Sequence, residues 1–374
     1  MSPYITFERL FARLGGRHLI LVIGLVQVIA FFGAVPGIVS IRVNTASAGL
    51  PLGFLSILAP ALIVVTFLTL LLVGMRLTTA ARKRLDEISS KQSSIMPPKD
   101  EITAWREMTS LTVRYGIASV VIAFVLNVIP TTAAILISEN TSRAAAPGPG
   151  NTLFALLGGI AAVLGYAVLA TFLLGRFTLP FRLLLAPENF EDQVKGRAGV
   201  LVLSKFLILV FAVIIISILI LAPIGYQQVT RVLFTDATPM EIFQDLQTNT
   251  IAFSVLVLAL GIAIAYFASR SISDPVTDLL KTFDLIERGD LSARAPISAT
   301  DELGIVTIHF NRMVARLESL QSYLEQQVTE RTKQLSATNE IGRVAASSLD
   351  PAEMLSSIVN LFTEKFGYYF VGVY

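Results

Sequence analysis

Few side chains in this 374-residue sequence are suited to covalent or metal chemistry. There are two histidines, His18 and His309, and no cysteine. That excludes disulfides, zinc–thiolate sites and thiol nucleophiles, and leaves too few imidazoles for a multi-histidine metal site. No glycine-rich phosphate loop stands in a soluble context, and no carboxylate pair stands in a folded site. The sequence therefore offers no catalytic, cofactor-binding or metal residues. His309 adjoins Phe310 on a helical stripe and reads as a flank residue. A net charge of only +2 gives no reason to expect a nucleic-acid partner.

What the residue spacing supports instead is mechanical coupling. Between residues 268 and 320 two amphipathic stretches flank a linker. The first carries Val276, Leu279, Phe283 and Ile286, and the second Leu303, Val306, Phe310, Met313, Leu317 and Leu320. Both follow the alternating three- and four-residue steps of a heptad seam, the pattern of helices packed side by side. The linker, residues 289–300, exceeds the roughly 2–8 residues an antiparallel pair needs. A parallel pair must bring the chain back along the first helix, roughly 21 Å for about 14 residues, and an extended linker of this length covers that. Leu291 and Ile297 are the apolar residues able to pin it. Two helices cannot bury both seams alone, so a parallel homodimer forming a four-helix bundle is expected.

Local signals punctuate the pair. Asp274-Pro275 reads as an N-cap and first helical residue, hence a helix start. Gly289 reads as a C-cap. Thr300, Asp301 and Glu302 cap and charge the second helix, and Gly304 removes a side chain where linker and helices crowd. On Pro275, on Gly289, Leu291 and Ile297, and on the Asp-Glu-Leu-Gly at 301–304, the segment resembles a HAMP domain, the relay module of bacterial membrane receptors. We assign it residues 269–321. The resemblance implies that the connection before Pro275 carries motion from membrane to bundle and that Glu302 helps hold the connector. It also places the chain among histidine-kinase-like sensor proteins, although His309 lacks the His-Glu-x-Arg/Lys context of a kinase dimerisation helix.

The remainder explains what feeds this relay. The chain is 54% hydrophobic and 15% charged, with a mean hydropathy of +0.70, against about 25% charged in soluble domains. Six apolar runs approach the roughly 20 residues needed to cross a bilayer: residues 19–41, 52–75, 115–137, 152–175, 201–222 and 250–268. The first run exceeds the roughly 7–15 residues of a signal-peptide core and reads as a retained span. Residues 1–18, with Arg9, Arg13 and Arg17 on one face, read either as a basic amphipathic helix on an anionic leaflet or as a short positive flank of the first span. Basic residues crowd the N-terminus and the second and fourth loops, while the alternate loops hold Arg42, Arg143 and Arg231 alone. That pattern predicts a multi-pass inner (plasma) membrane protein with its N-terminus and everything after the sixth span in the cytoplasm. No charge lies near a span centre, which disfavours an ion or substrate path. Lys205, near an inner end, is expected to snorkel. Gln27 and Asn127 are expected to hydrogen-bond between helices, and Gly158, Gly159 and Gly165 to allow close helix approach. The outer loops are short, so a stimulus must act on them, on the spans or from within the bilayer.

Beyond the relay the seam continues through Leu324, Val328 and Leu335 with a break in the heptad, a coiled-coil signalling helix over 322–340. Residues 341–374 contain a helix from Asp350-Pro351 bearing Leu355, Ile358, Val359, Phe362 and Phe366. An aromatic, β-branched run at 368–374 reads as a strand. This tail is similar to the opening of a GAF domain, which implies a longer protein. The expected fold is thus an all-α membrane body, a HAMP bundle and coiled coil, and the first helix and strand of an α+β GAF domain. The expected function is a receptor relaying a conformational signal to an output module, a histidine kinase acting on a response regulator. Its partners would be a second copy of itself and membrane lipids, with no cofactor. The alternatives are the six-span regulatory region of a nucleotide cyclase and a transporter-like protein with a regulatory helix pair.

Overall fold

The computed structural model describes residues 14–46, 55–90, 98–141, 151–185, 202–234, 238–297, 301–347, 351–366 and 370–371. Among these all regular secondary structure is helical. It divides into two units, residues 1–281 with 295–308, and residues 282–294 with 309–374.

The first unit is built around α7 (Asn151–Phe177), whose most apolar window is 72% buried where the other long spans reach 17–28%. Small residues make this possible: Gly158, Gly159, Ala161, Ala162, Gly165, Ala167 and Ala170 let neighbours approach its backbone. Around it stand α1 (Arg17–Ala30) and α2 (Val35–Ala46), α5 (Pro98–Ala123), α6 (Ile129–Thr141) and α9 (Val202–Phe234). A β-carbon on Gly165 would sit 2.0 Å from the Gly33 carbonyl oxygen, and one on Gly37 2.3 Å from that of Gly158. The helices α3 (Leu55–Leu77) and α4 (Thr79–Ser89) pack on α5. Buried Leu19, Ile23, Leu70, Tyr115, Leu173 and Ile220 belong to one continuous core. Outward-facing Ile57, Val64, Leu68, Leu72, Ile208 and Ile218 stay exposed, as lipid-facing side chains would.

Among the described residues five helices are long and apolar enough to cross a membrane, and α1 with α2 makes a sixth candidate if that bent pair is one span. The pair bends by 43° through a short 3₁₀ turn, Phe31–Gly33. Pro36 explains the break, because it lacks the N–H that would bond the carbonyl one turn earlier. A π-helical turn, Phe124–Val128, joins α5 to α6 just before Pro130 for a related reason. Helix termini are tied by acids: the Gly16 N–H donates to Asp86 Oδ1 at 2.7 Å, and the Ala81 N–H to Glu107 Oε2 at 3.0 Å.

The helix α10 (Pro239–Glu287) leaves the membrane body, α11 (Glu302–Ser347) follows the connector, and α12 (Pro351–Phe366) is the last described helix. Most of the proposed N-terminal amphipathic helix lies outside the described residues. So does most of the expected strand at 368–374; Phe370 and Val371, the part described, are not in a strand.

A candidate signal-relay junction

The expected helix start at Asp274-Pro275 is not what forms. The helix α10 runs for 49 residues with Pro275 inside it. Asp274 is not a cap; its carboxylate pairs with Arg176, at the end of α7, and with Arg270 one turn earlier at 3.5 Å. A proline inside a helix forfeits one backbone bond, and the Ser271 carbonyl is the one deprived. Burial of Pro275 and the anchoring of Asp274 from both sides hold the helix through the defect. The Ser271 hydroxyl donates to the Ala268 carbonyl at 2.8 Å.

The end of α10 is built as its sequence suggests. Gly289 adopts φ +95. Its N–H donates to the Ile286 carbonyl at 2.9 Å, and the Asp290 N–H to that of Leu285 at 3.0 Å, the two bonds of a Schellman motif. Asp290 then turns the chain: its Oδ1 accepts from the Ser292 N–H at 3.2 Å and from the Ser292 hydroxyl at 2.6 Å. These bonds hold the Asp290 carboxyl below its ordinary range. Arg294 donates to the Leu291 carbonyl at 2.6 Å and pairs with Glu318 of α11 at 2.5 Å. Leu291 and Ile297 are half-buried and Ala295 fully so.

At the start of α11 the capping residue is Asp301, 2% exposed. Its Oδ1 accepts from the Leu303 N–H at 3.1 Å and the Gly304 N–H at 3.4 Å. Its Oδ2 meets Lys205 Nζ, near the start of α9, at 2.5 Å. Lys205 therefore does not simply snorkel, as expected from sequence; it is claimed by a carboxylate 96 residues away. The Arg182 guanidinium, in the short helix α8 (Leu179–Leu184), is pulled down to about 10 by burial and pushed back up by Asp301. It stays protonated at neutral pH. One buried carboxylate thus caps a helix and pairs with a lysine of the membrane body. Thr300 lies outside the described residues. Glu302 is half-buried in the first turn, Gly304 is buried and His309 exposed.

Of the seam residues, the fold brings Phe283 and Phe310 together, with ring centroids 4.4 Å apart. Phe310 is 7% exposed and Val314 fully buried. Leu279, Ile286 and Leu303 are half-buried. Val276, Phe283, Val306, Met313 and Leu317 remain 38–52% exposed. The residues sequence reasoning missed are Arg176, Arg182 and Lys205. Each is a cation at the end of a span, and what they share is a place beside the relay rather than a motif.

The HAMP-domain family profile matches residues 267–319. The chain is 30% identical over 95 residues to the methyl-accepting chemotaxis protein McpC of Bacillus subtilis, covering 25% of this chain and 14% of that protein. It is 26% identical over 124 residues to the sensor protein kinase WalK of Staphylococcus epidermidis, covering 31% of this chain and 20% of that protein. No solved structure matches. The chain thus spans a fifth or less of these relatives. Together with its long apolar helices, the match supports a membrane signal-transduction relay built on a HAMP domain.

Proposed function

We propose that the chain is the membrane-embedded input part of a receptor that works as a parallel homodimer. It lies in the inner membrane with its N-terminus and all residues after 268 in the cytoplasm. It passes a conformational signal through the HAMP bundle, residues 269–321, and the signalling helix, 322–340, to the GAF-like segment from 341 and an output of the histidine-kinase type. The kinase output draws on the WalK relative, and a response regulator would be its partner. In this reading Pro275 marks the passage from span to bundle within one helix. Val276, Leu279, Phe283, Ile286, Leu303, Val306, Phe310, Met313 and Leu317 form the bundle seam. Gly289 ends the first helix, Leu291 and Ile297 pin the connector, Glu302 holds it and Gly304 makes room.

The observation that carries the reading is the continuity of α10 from the membrane body through Pro275 into the first seam. Any rotation or shift of that span is a movement of the seam itself. Bundles with alternative packings of similar energy turn such movement into a switch. The five exposed seam side chains give a second copy a reason to bind. Fully burying each is worth about 1.5–3 kcal/mol, so covering their exposed halves supplies roughly 4–7 kcal/mol before the cost of association.

The cysteine-free sequence makes the test direct. Val276→Cys and Leu303→Cys, each alone in native membranes, should crosslink between copies far more readily than Lys281→Cys or Glu325→Cys, which lie off the seam. Adding Phe310→Glu should abolish the difference. Equal crosslinking at seam and off-seam positions would sink the proposal.

A further inference from the structure

We infer that the first unit contains a binding site, within its membrane-spanning region, for a small uncharged amphiphile bearing a hydroxyl group. The site is a cavity of about 760 Å³ between α2, α3, α5, α6 and α7. That lies inside the roughly 300–1,000 Å³ range of small-molecule sites. Its wall is mainly apolar, with Phe31, Phe67 and Tyr166 among its larger side chains.

Arg42, Ser56 and Tyr166 also bring polar atoms to the wall, and three further polar residues, Thr66, Asn127 and Thr131, have hydrogen-bonding capacity left over. Asn127 lies in the π-helical turn, where the Ile129 N–H reaches back five residues to the Phe124 carbonyl. Such turns concentrate at functional sites because they re-aim side chains. Asn127 Nδ2 donates to Thr66 Oγ1 at 2.7 Å and to the Ala123 carbonyl at 3.3 Å, which occupies the amide's hydrogens. Among the described residues nothing donates to Asn127 Oδ1, and nothing accepts from the hydroxyls of Thr66 or Thr131. All three residues line the cavity. Hydrogen bonding accounts for the amide half of Asn127; among the described residues the carbonyl half is unused. In a medium without water an unsatisfied polar group costs free energy, so a ligand that satisfies these groups gains it.

The complement follows from the inventory. Asn127 Oδ1 needs a donor, and the two threonine hydroxyls need an acceptor. A single hydroxyl supplies both. No carboxylate, lysine or histidine lines the cavity; Arg42, its one charged lining residue, is exposed and lies close to the end of α2. The head that meets Asn127 is therefore neutral, and the body is apolar enough to partition into a bilayer. The wall has a short route outward: Tyr166 follows Gly165, where an added β-carbon would lie 3.4 Å from Leu260 of α10. Occupancy that shifts this stretch of α7 presses on the helix that continues into the HAMP segment. This last step rests on the relay reading, whereas the binding itself does not.

The test uses the full chain in lipid nanodiscs and a twelve-carbon alcohol carrying a mid-chain diazirine. Photolabelling should map to peptides of α3, α5, α6 and α7 that line the cavity. 1-Dodecanol should compete, and dodecane and dodecanoate should not. Asn127→Leu should weaken competition by 1-dodecanol about five- to tenfold, the loss of roughly one hydrogen bond. Ala59→Phe, which fills the cavity without touching the polar groups, should abolish labelling there, with unchanged size-exclusion elution showing that the protein remains folded. Equal competition by dodecane marks a gap filled by lipid chains and overturns the proposal. So does stronger competition by dodecanoate, or labelling spread evenly over the lipid-facing surface. Binding without any change in HAMP crosslinking would leave the site standing and remove its link to the relay.

Discussion

The Asp301–Lys205 pair gives the most direct test of how the second HAMP helix is held. Asp301→Ala removes the cap, worth about 1 kcal/mol, and leaves the Lys205 ammonium without its carboxylate. Breaking a fully buried pair by deleting one partner costs roughly 3–5 kcal/mol. The Lys205 side chain is 23% exposed, so the discounted cost is about 1–2 kcal/mol. Asp301→Asn keeps a capping oxygen and removes only the charge. Hydrogen exchange of the first turns of α11, residues 302–308, reads these differences separately. Exchange should rise about five- to thirtyfold in Asp301→Asn and roughly a further fivefold in Asp301→Ala. Lys205→Met should act like Asp301→Asn, softened by the longer-range attraction between Arg182 and the carboxylate. The double variant Lys205→Met with Asp301→Asn should exchange no faster than either single one. Single effects that simply add, within about 0.3–0.5 kcal/mol, would mean that the pair carries no coupling and refute the argument.

Two further outcomes follow from backbone geometry. Gly289→Ala places a β-carbon in open space but at φ +95, so its cost is conformational, about 1–2 kcal/mol, and should appear as faster exchange confined to the end of α10 and the connector. Gly165→Ala has no such freedom, because its β-carbon would meet the Gly33 backbone at 2.0 Å; the variant should lose the close approach of α7 and become more susceptible to trypsin in detergent, while Gly24→Ala, with nothing within 4 Å, should not.

Features governed by local pattern were legible in the sequence. The apolar runs became helices, and Gly289 became a positive-φ cap because no other residue adopts that backbone so cheaply. Gln27 and Asn127 found partners on other helices, Tyr115 at 2.6 Å and Thr66 at 2.7 Å, since bilayer interiors offer no water to replace them. Pro275 was misread for a physical reason. Asp-Pro is a good helix start when a helix ends beside it, but here anchoring on both sides outweighs the lost bond. Lys205 was hidden differently, since its partner Asp301 comes from a distant part of the chain. No spacing rule reports a contact between residues 96 apart.

The long helix that leaves the membrane has a leverage of its own. From Pro239 to Pro275 it measures roughly 54 Å, and from Pro275 to Glu287 roughly 18 Å, at 1.5 Å per residue. Asp274, gripped by Arg176, stands at the division between these arms. A rod pivoting there works as a reducing gear of about three to one: a 3 Å sideways sweep at its far tip becomes about 1 Å at the seam. Twist and axial thrust pass the fulcrum undivided. Under the proposed relay such a lever would damp lateral jostling by surrounding lipid while handing on rotation at full amplitude.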